Sequence, residues 1–262
     1  GGASTQFAMV PLNLLTGGKV AAFVETGSWA SKALKDAKLI GETAIVATSK
    51  PDEYRRMPDI SNLAVPERAA YVHMTSNETI QGTQFKAFPD TGDVPLVADM
   101  SSDIMSRPFD VSKFGLIYAG AQKNLGPSGV TVVIIRDDLA SGAPEHVPTM
   151  LRYDTHVKNE SLYNTPPTFS VYMVNLVLKW IKAKGGVAAI EKANAEKAAL
   201  IYDEIDRSGG FYRGFAHPES RSPMNITFRI ADEALEPLFV KESEKEGFVG
   251  LKGHRSVGGL RA

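Results

Sequence analysis

Cysteine is absent from this 262-residue chain. Without a thiol, the chain forms no disulfide, no thiolate nucleophile and no cysteine-bound zinc or iron–sulfur site. Charge of one sign is not in excess either, because 29 lysines and arginines are balanced by 30 aspartates and glutamates. Nucleic-acid-binding proteins normally carry a basic excess or a basic stripe. The balance therefore argues against nucleic acid as a partner, and we also expect no metal site.

Long apolar runs are missing as well. The sequence contains no stretch of about 18 or more apolar residues, the length that a transmembrane helix requires, and nothing in it resembles a signal peptide. We therefore expect a chain without membrane contact and with a cytoplasmic location. Its 43% hydrophobic content is enough for a sizeable core. The ends, "GGASTQF" and "HRSVGGLRA", resemble loops cut open, so we expect a chain truncated at both ends.

Short apolar segments alternate with amphipathic ones over most of the chain. The helical spacing in "SWASKALKDAKLIG" places Ala30, Ala33, Leu34 and Ala37 on one face. Strand candidates flank it on both sides: "KVAAFVET", "TAIVATS", "AAYVHMT", "PLVAD", "FGLIYAG" and "VTVVII". This alternation predicts an α/β fold with a mostly parallel sheet flanked by helices.

The pattern changes after about residue 164. Two long helices are predicted in "FSVYMVNLVLKWIKAKGG" and "VAAIEKANAEKAALIYDEIDRSG", each followed by glycine. A third, "DEALEPLFVKESEKEG", lies between the strand candidates "NITFRI" and "FVGLKGH". We therefore predict a large domain over residues 1–185 and a smaller α+β domain over residues 186–262.

Four predicted strands end in residues that could carry chemistry. Trp29, Thr79, Asp99 and Lys123 each follow or close one of these strands. In open α/β sheets, ligands bind outside the carboxyl ends of the strands, where such residues meet. An indole, a hydroxyl, a carboxylate and an amine could therefore share one crevice.

This set of groups suits a pyridoxal cofactor. A desolvated lysine forms a Schiff base with a carbonyl, and a carboxylate keeps the pyridine nitrogen protonated. An indole can stack on the ring, and the helix start at "GGAST" offers N–H groups to a phosphate. Each residue also has an ordinary interpretation: Asp99 as a turn residue, Trp29 as packing and Lys123 as a solvated charge. Only their conjunction favours the cofactor site.

Four longer motifs carry a resemblance to a known family. They are "VADMSSDIMSRPFDVSKFGLIYAGAQKNLGPSGVTVVIIR", "HMTSNETIQGT", "YNTPPTFSVY" and "KGHRSVGGLRA". Together the motifs resemble the phosphoserine aminotransferase family, which are class V, fold-type I pyridoxal-phosphate transaminases. The resemblance runs through the whole chain in the family's order. It implies a large domain with a seven-stranded type of sheet and an incomplete small domain.

The resemblance implies a role for each residue at the strand ends. Lys123 matches the lysine that joins pyridoxal 5′-phosphate and moves the proton at the substrate's α-carbon. Asp99 matches the partner of the pyridine nitrogen. Thr79 matches the hydroxyl near the ring oxygen, and Trp29 matches the stacking aromatic.

The resemblance also implies how the cofactor phosphate is bound. Ala3 and Ser4 match the phosphate-binding turn, and Gln122 also reaches the phosphate. Asn164 and Thr165 match a phosphate contact that the other subunit delivers. A homodimer with active sites at its interface is therefore implied.

His254, Arg255 and Arg261 match residues that bind the substrate's anionic groups. The implied reaction interconverts O-phosphoserine and 2-oxoglutarate with 3-phosphohydroxypyruvate and glutamate, in serine biosynthesis and also in pyridoxine biosynthesis. Arginine suits both kinds of substrate because its fork binds phosphate or carboxylate through two hydrogen bonds. The family also places a His-Arg pair of the partner subunit at this site, from an N-terminal segment that this sequence lacks.

Two alternatives stay open. The chain could be another class V aminotransferase of the alanine–glyoxylate or serine–pyruvate type, although those substrates carry no phosphate. It could also be a truncated, non-catalytic fragment that binds cofactor or a partner subunit. A cysteine desulfurase is excluded because its catalytic cysteine has no counterpart here.

Overall fold

Six strands form the central sheet of the computed structural model, which describes residues 2–255 and 257–262. The strands are β1 (Val20–Glu25), β2 (Thr43–Thr48), β3 (Ala69–Thr75), β6 (Leu96–Asp99), β7 (Leu116–Gly120) and β8 (Thr131–Ile135). Their order across the sheet is β2-β1-β3-β6-β7-β8. The first five strands pair in parallel, and β8 pairs antiparallel with β7.

The burial of the strands follows their place in the sheet. Every residue of β1, β3, β6 and β7 is buried, whereas β2 and β8 at the edges are only partly buried. Central strands covered on both faces read as continuous apolar runs, which explains why the sequence shows no alternation there. The strand β8 runs antiparallel to β7 because the connection between them is short, whereas a parallel crossover needs a dozen or more residues.

Helices pack on both faces of the central sheet. They are α1 (Ser4–Leu14), α2 (Ser28–Lys38), α3 (Tyr153–Lys158), α4 (Thr168–Ala183), α5 (Val187–Arg207) and α6 (Glu236–Lys245). On α2 the buried residues are those that the spacing predicts: Ala30, Ala33, Leu34 and Ala37. This face packs with Phe7, Val10, Tyr71 and Tyr118 into one core layer. A second layer on the other side of the sheet includes Val72, Met74, Leu96, Phe114 and Ile117.

Two smaller sheets complete the fold. A hairpin of β4 (Asn77–Glu78) and β5 (Thr83–Gln84) follows β3 directly. An antiparallel sheet of β9 (Tyr212–Gly214), β10 (Thr227–Ile230) and β11 (Leu260–Arg261) has its own core with α5. The domain limits at 1–185 and 186–262 stay a prediction.

The mostly parallel α/β fold is confirmed, with six strands where the resemblance implies seven. One strand prediction is wrong. The segment "FVGLKGH" is irregular except for a single bridge between Lys252 and Leu260. Gly247 and Gly250 take φ values of 86° and 79°, and these left-handed turns break the extended path. None of the helices formed by residues 2–255 and 257–262 has the length and apolarity to cross a membrane.

Shortening Leu96 is expected to destabilise the fold. Leu96 opens the central strand β6 and is 1% exposed, so Leu96→Ala leaves a cavity in the core. We expect the free energy of unfolding to fall by about 3 kcal/mol. Urea unfolding followed by circular dichroism measures this change. Leu39, which is 81% exposed, is the control: Leu39→Ala should change the free energy by less than about 0.5 kcal/mol. Equal effects would contradict the placement of β6 in the core.

Candidate active site

The candidate site lies at the carboxyl ends of the parallel strands. Asp99 is the last residue of β6, and in the register it lies between Thr75 of β3 and Tyr118 of β7. Lys123 follows β7 by three residues. The structure therefore brings together the strand ends that the sequence predicts to meet.

Trp29, Thr79 and Lys123 form one cluster. The indole Nε1–H of Trp29 donates to Oγ1 of Thr79 at 2.9 Å. The Nζ atom of Lys123 lies 5.0 Å from the centroid of the Trp29 ring, and the Nζ of Lys32 lies 4.0 Å from it. Thr79, Lys123 and Arg261 line one cavity of about 500 Å³. A planar ring bound against Trp29 would therefore lie within reach of the amine.

Ser101 holds the buried carboxylate of Asp99 in place. Its N–H and its hydroxyl both donate to Oδ1 of Asp99, at 2.9 and 2.6 Å. The Ser101 hydroxyl in turn accepts the N–H of Gly120 at 3.1 Å, which connects Asp99 to the end of β7. Burial raises the pKa of Asp99, and the bonds from Ser101 together with the charge of Lys123 oppose that rise. Both printed hydrogen bonds from Ser101 use the same oxygen, Oδ1.

Tyr118 contacts both Asp99 and His73. The Tyr118 hydroxyl lies near enough to Asp99 to lower the pKa of that carboxyl, and it also contacts Nε2 of His73 at 2.9 Å. Burial lowers the pKa of His73 to about 3, so the imidazole is neutral. If Tyr118 donates towards Asp99, its oxygen accepts from Nε2–H of His73. This polarity favours the ionised carboxylate.

The surroundings of Lys123 shift the pKa of its amine downwards. Desolvation lowers the pKa of Lys123, and the carboxylates of Asp99 and Glu78 oppose that shift. The charge of Arg261 acts in the same direction as desolvation. The side chain remains accessible within the crevice. A lowered pKa increases the fraction of neutral amine, which is the form that attacks a carbonyl.

The start of α1 lies beside the same crevice. Ala3 is buried at the N-cap position, and Ser4 is the first, exposed residue of the helix. A Cβ on Gly2 would lie 3.4 Å from Nε2 of Gln122, so the Gln122 amide adjoins this turn. The first N–H groups of a helix have no acceptor within it, and they bind anions. The turn and the amide together fit a phosphate.

The predicted substrate residues do not share one cavity. Arg261 pairs with Thr227 in the small sheet and lines the Lys123 cavity. His254 lies in a neighbouring, smaller crevice, and its carbonyl accepts the N–H groups of Val257 and Gly258. Arg255 is exposed on the same loop.

Asn164 and Thr165 lie outside the site of their own chain. Both are exposed in the loop between α3 and α4, and neither lines the Lys123 cavity in the part of the chain that is described. Their predicted contact with a cofactor phosphate therefore stays a prediction, and it requires a second subunit.

Two residues that support the site were missed. Ser101 follows Asp99 by two positions, which is a common spacing for a turn in which aspartate accepts a local N–H. That signal was readable in the sequence. Glu78 is fully buried and accepts the N–H groups of Trp29 and Ala30. Its partners are 48 and 49 positions away, so no local pattern could reveal it.

Comparisons with known proteins identify the family of the chain. The model of the aminotransferase class-V family matches residues 1–257. A curated phosphoserine aminotransferase from Niallia circulans is 67% identical over the whole chain, which covers 72% of that relative. A solved phosphoserine aminotransferase from Bacillus circulans subsp. alkalophilus, also 67% identical, superposes with a TM-score of 0.98 and is covered to 73%. A PLP-bound phosphoserine aminotransferase from Trichomonas vaginalis, 37% identical, gives a TM-score of 0.89, with 75% of its chain covered.

The buried carboxyl group of Asp103 should make the stability of the fold depend on pH. It is buried next to the site and accepts from Ser76 and from Nε2 of Gln84, while burial raises its pKa to about 6. Unfolded aspartate titrates near pH 4, so the unfolded state loses this proton first and stability falls as pH rises. Between about pH 4 and pH 6, we expect Asp103→Asn to gain about 2 to 3 kcal/mol relative to the unsubstituted chain.

Urea unfolding at several pH values measures this difference. Above about pH 7 and below about pH 3, the two stability curves should run parallel, because Asp103 does not titrate there. Parallel curves throughout the range would contradict the raised pKa of Asp103.

Proposed function

The chain belongs to the aminotransferase class-V family, and from this premise we propose that it catalyses reversible amino transfer between O-phosphoserine and 2-oxoglutarate. The observation that carries the proposal is the convergence of the Lys123 amine, the Trp29 ring and the buried Asp99 carboxylate at one sheet edge. The curated relatives with 55–67% identity bear the name phosphoserine aminotransferase. This function places the chain in serine biosynthesis.

The described residues fit pyridoxal phosphate. Trp29 offers a face for its ring, and the Asp99 carboxylate, which Ser101 holds through Oδ1, offers its charge to the pyridine nitrogen. The Thr79 hydroxyl accepts the indole N–H, so its own proton is available for the phenolic oxygen. Gln122 and the start of α1 offer N–H groups to the phosphate. When bound, the cofactor supplies a ring that stabilises the negative charge left on the α-carbon after proton removal.

The chain's own groups then have defined tasks. Nζ of Lys123 would take the proton from the substrate's α-carbon and deliver it to the cofactor side of the site, and its lowered pKa increases the fraction of neutral amine that can accept this proton. The two hydrogen bonds from Ser101 favour the ionised form of Asp99 against the effect of burial, and its charge would hold a proton on the facing nitrogen. Trp29 excludes water from one face of the crevice.

Arg261 determines the class of substrate in this proposal. It is the guanidinium group that shares the cavity with Lys123 among the described residues, and its fork suits phosphate or carboxylate. We assign supporting contacts with the substrate to His254 and Arg255, which lie on the same loop. A phosphorylated threonine analogue carries the same anions, so a second role in pyridoxine biosynthesis forms part of the proposal.

The homodimer is a further part of the proposal. Large apolar side chains are exposed around the loop that holds Asn164 and Thr165: Leu162, Tyr163, Phe169, Val171 and Tyr172. Such a patch is typical of a surface that a partner covers. A second copy placed there would bring Asn164 and Thr165 of the partner subunit towards the phosphate.

We also propose a cytoplasmic location. The substrates carry several charges and do not cross a bilayer unaided. The enzyme therefore has to share the compartment in which they are made.

Replacing Lys123 tests the function directly. The cofactor bound to Lys123 should give an absorbance band near the visible edge that bleaches when phosphoserine is added. Lys123→Ala should lack this response and lose activity by about 100- to 10,000-fold, because no group remains to move the proton. Absorbance titration and an amino-transfer assay measure both effects. A variant that keeps the band and its response would disprove the assignment of Lys123.

The same titration separates the alternatives. Bleaching by glutamate and by phosphoserine supports the proposal. Bleaching by alanine but not by phosphoserine would favour an alanine–glyoxylate type of enzyme. A chain that gives no band with added pyridoxal phosphate would instead be a non-catalytic fragment.

A charge on the exposed patch should separate the subunits. Phe169 is 71% exposed at the start of α4, and Phe169→Glu would bury an unpaired carboxylate in a dimer interface. We expect monomers in analytical ultracentrifugation and weaker binding of pyridoxal phosphate. Leu39→Glu, at a position that is 81% exposed and away from this patch, should stay dimeric. Identical sedimentation of both variants and the unsubstituted chain would contradict the placement of the interface.

A further inference from the structure

Glu78 is a fully buried carboxylate that the proposed reaction does not use. Its Oε2 atom accepts the N–H of Trp29 at 3.0 Å, and its Oε1 atom accepts the N–H of Ala30 at 2.9 Å. Both donors lie in the first turn of α2. Glu78 therefore closes the N-terminus of this helix from another part of the chain.

The local backbone is adapted to this contact. A Cβ on Gly27 would lie 2.6 Å from Cδ of Glu78 and 2.8 Å from Oε1 of Gln81, so any larger residue would displace the carboxylate. Gln81 also donates from Nε2 to the Ser28 hydroxyl at 3.1 Å. The hairpin of β4 and β5 thus holds the start of α2 through two side chains.

Glu78 and its neighbour Thr79 bind the same tryptophan at two points. Glu78 fixes the backbone N–H of Trp29, and Thr79 accepts the indole N–H. Because the two residues are adjacent, the backbone and the ring of Trp29 are tied to one rigid segment. The ring cannot shift without breaking a partly buried hydrogen bond.

We propose that Glu78 is a positioning residue that fixes the Trp29 indole at the place where the cofactor ring stacks. The use of that indole for stacking rests on the proposed function, whereas the fixation itself does not. Glu78 already accepts two N–H groups at the N-terminus of α2. We therefore place the phosphate at the start of α1 and not at the start of α2.

A carboxylate is needed at this position because two N–H groups converge on it. Each oxygen accepts one donor, and the negative charge is favoured at a helix N-terminus. An amide offers one oxygen only, and its NH₂ group would oppose the second N–H. Burial raises the pKa of Glu78 to about 7 against the opposing effect of these two N–H groups, so measurements belong at pH 8 or above, where the carboxylate is ionised.

The test compares Glu78→Gln with Asp103→Asn in a Trp180→Phe background. The chain has two tryptophans, so Trp29 alone then reports its own fluorescence. Asp103 is the matched control, because it is also a fully buried carboxylate near Lys123 and makes its hydrogen bonds to Ser76 and Gln84. Acrylamide quenching is measured on the full chain without cofactor, and pyridoxal-phosphate binding is measured by absorbance.

We expect Glu78→Gln to make Trp29 more accessible to acrylamide and to raise the dissociation constant of pyridoxal phosphate about ten-fold. Asp103→Asn should leave the quenching of Trp29 unchanged. Equal quenching in both variants, whether raised or unaltered, would overturn the proposal. If no chain binds pyridoxal phosphate but Glu78→Gln still loosens Trp29, the proposed function fails and the positioning role of Glu78 stands.

Hydrogen exchange of the backbone amides is a second test of the role of Glu78, and it needs no variant. The first N–H groups of a helix ordinarily exchange fast, as expected for Ala188 and Ala189 in the first turn of α5, whose N-cap residue Gly186 has no side chain to protect them. The amides of Trp29 and Ala30 should instead be protected. Exchange of these two amides as fast as at the start of α5 would overturn the proposal even if Glu78→Gln fails to fold.

Discussion

The alignment of strand ends at Asp99 is the constraint on which the rest of the site depends. The parallel register places Asp99 between Thr75 and Tyr118, so its carboxylate is enclosed by neighbouring strands. A buried carboxylate is costly unless it is hydrogen-bonded. Ser101 meets that need and connects Asp99 to the N–H of Gly120, at the end of the strand that leads to Lys123. The position of the acid and the position of the amine are therefore set by one network.

The groups around Lys123 shift the pKa of its amine in opposite directions. Desolvation favours the neutral amine, whereas Asp99 and Glu78 favour the ammonium form, and the pKa of Lys123 ends below its ordinary value. Arg261 acts in the same direction as desolvation. An anionic substrate bound by Arg261 would offset that cation, so substrate binding and the protonation of Lys123 are physically coupled.

The sequence was sufficient to predict the residues that are close to a strand end. Lys123, Asp99, Thr79 and Trp29 each follow an apolar run, and such runs are local signals. Glu78 could not be assigned its role, because its partners lie across the fold in α2. The strand predicted in "FVGLKGH" does not form, because Gly250 within the segment and Gly247 directly before it take left-handed φ values that override the local β propensity. A local sequence pattern does not predict contacts between distant segments of the chain, nor the backbone conformation at such turns.

The hairpin of β4 and β5 explains how the two sheets act on one cavity. The Thr227 hydroxyl of β10 donates to the carbonyl of Gln81 at 2.8 Å, and Nδ2 of Asn77 donates to Asn225 at 3.1 Å. Thr227 is also the register partner of Arg261. The strand pair that carries Arg261 is therefore hydrogen-bonded to the same hairpin that holds Trp29 through Glu78 and Thr79. A displacement of the hairpin would therefore act on the Trp29 ring and on the strand pair that carries Arg261 at the same time.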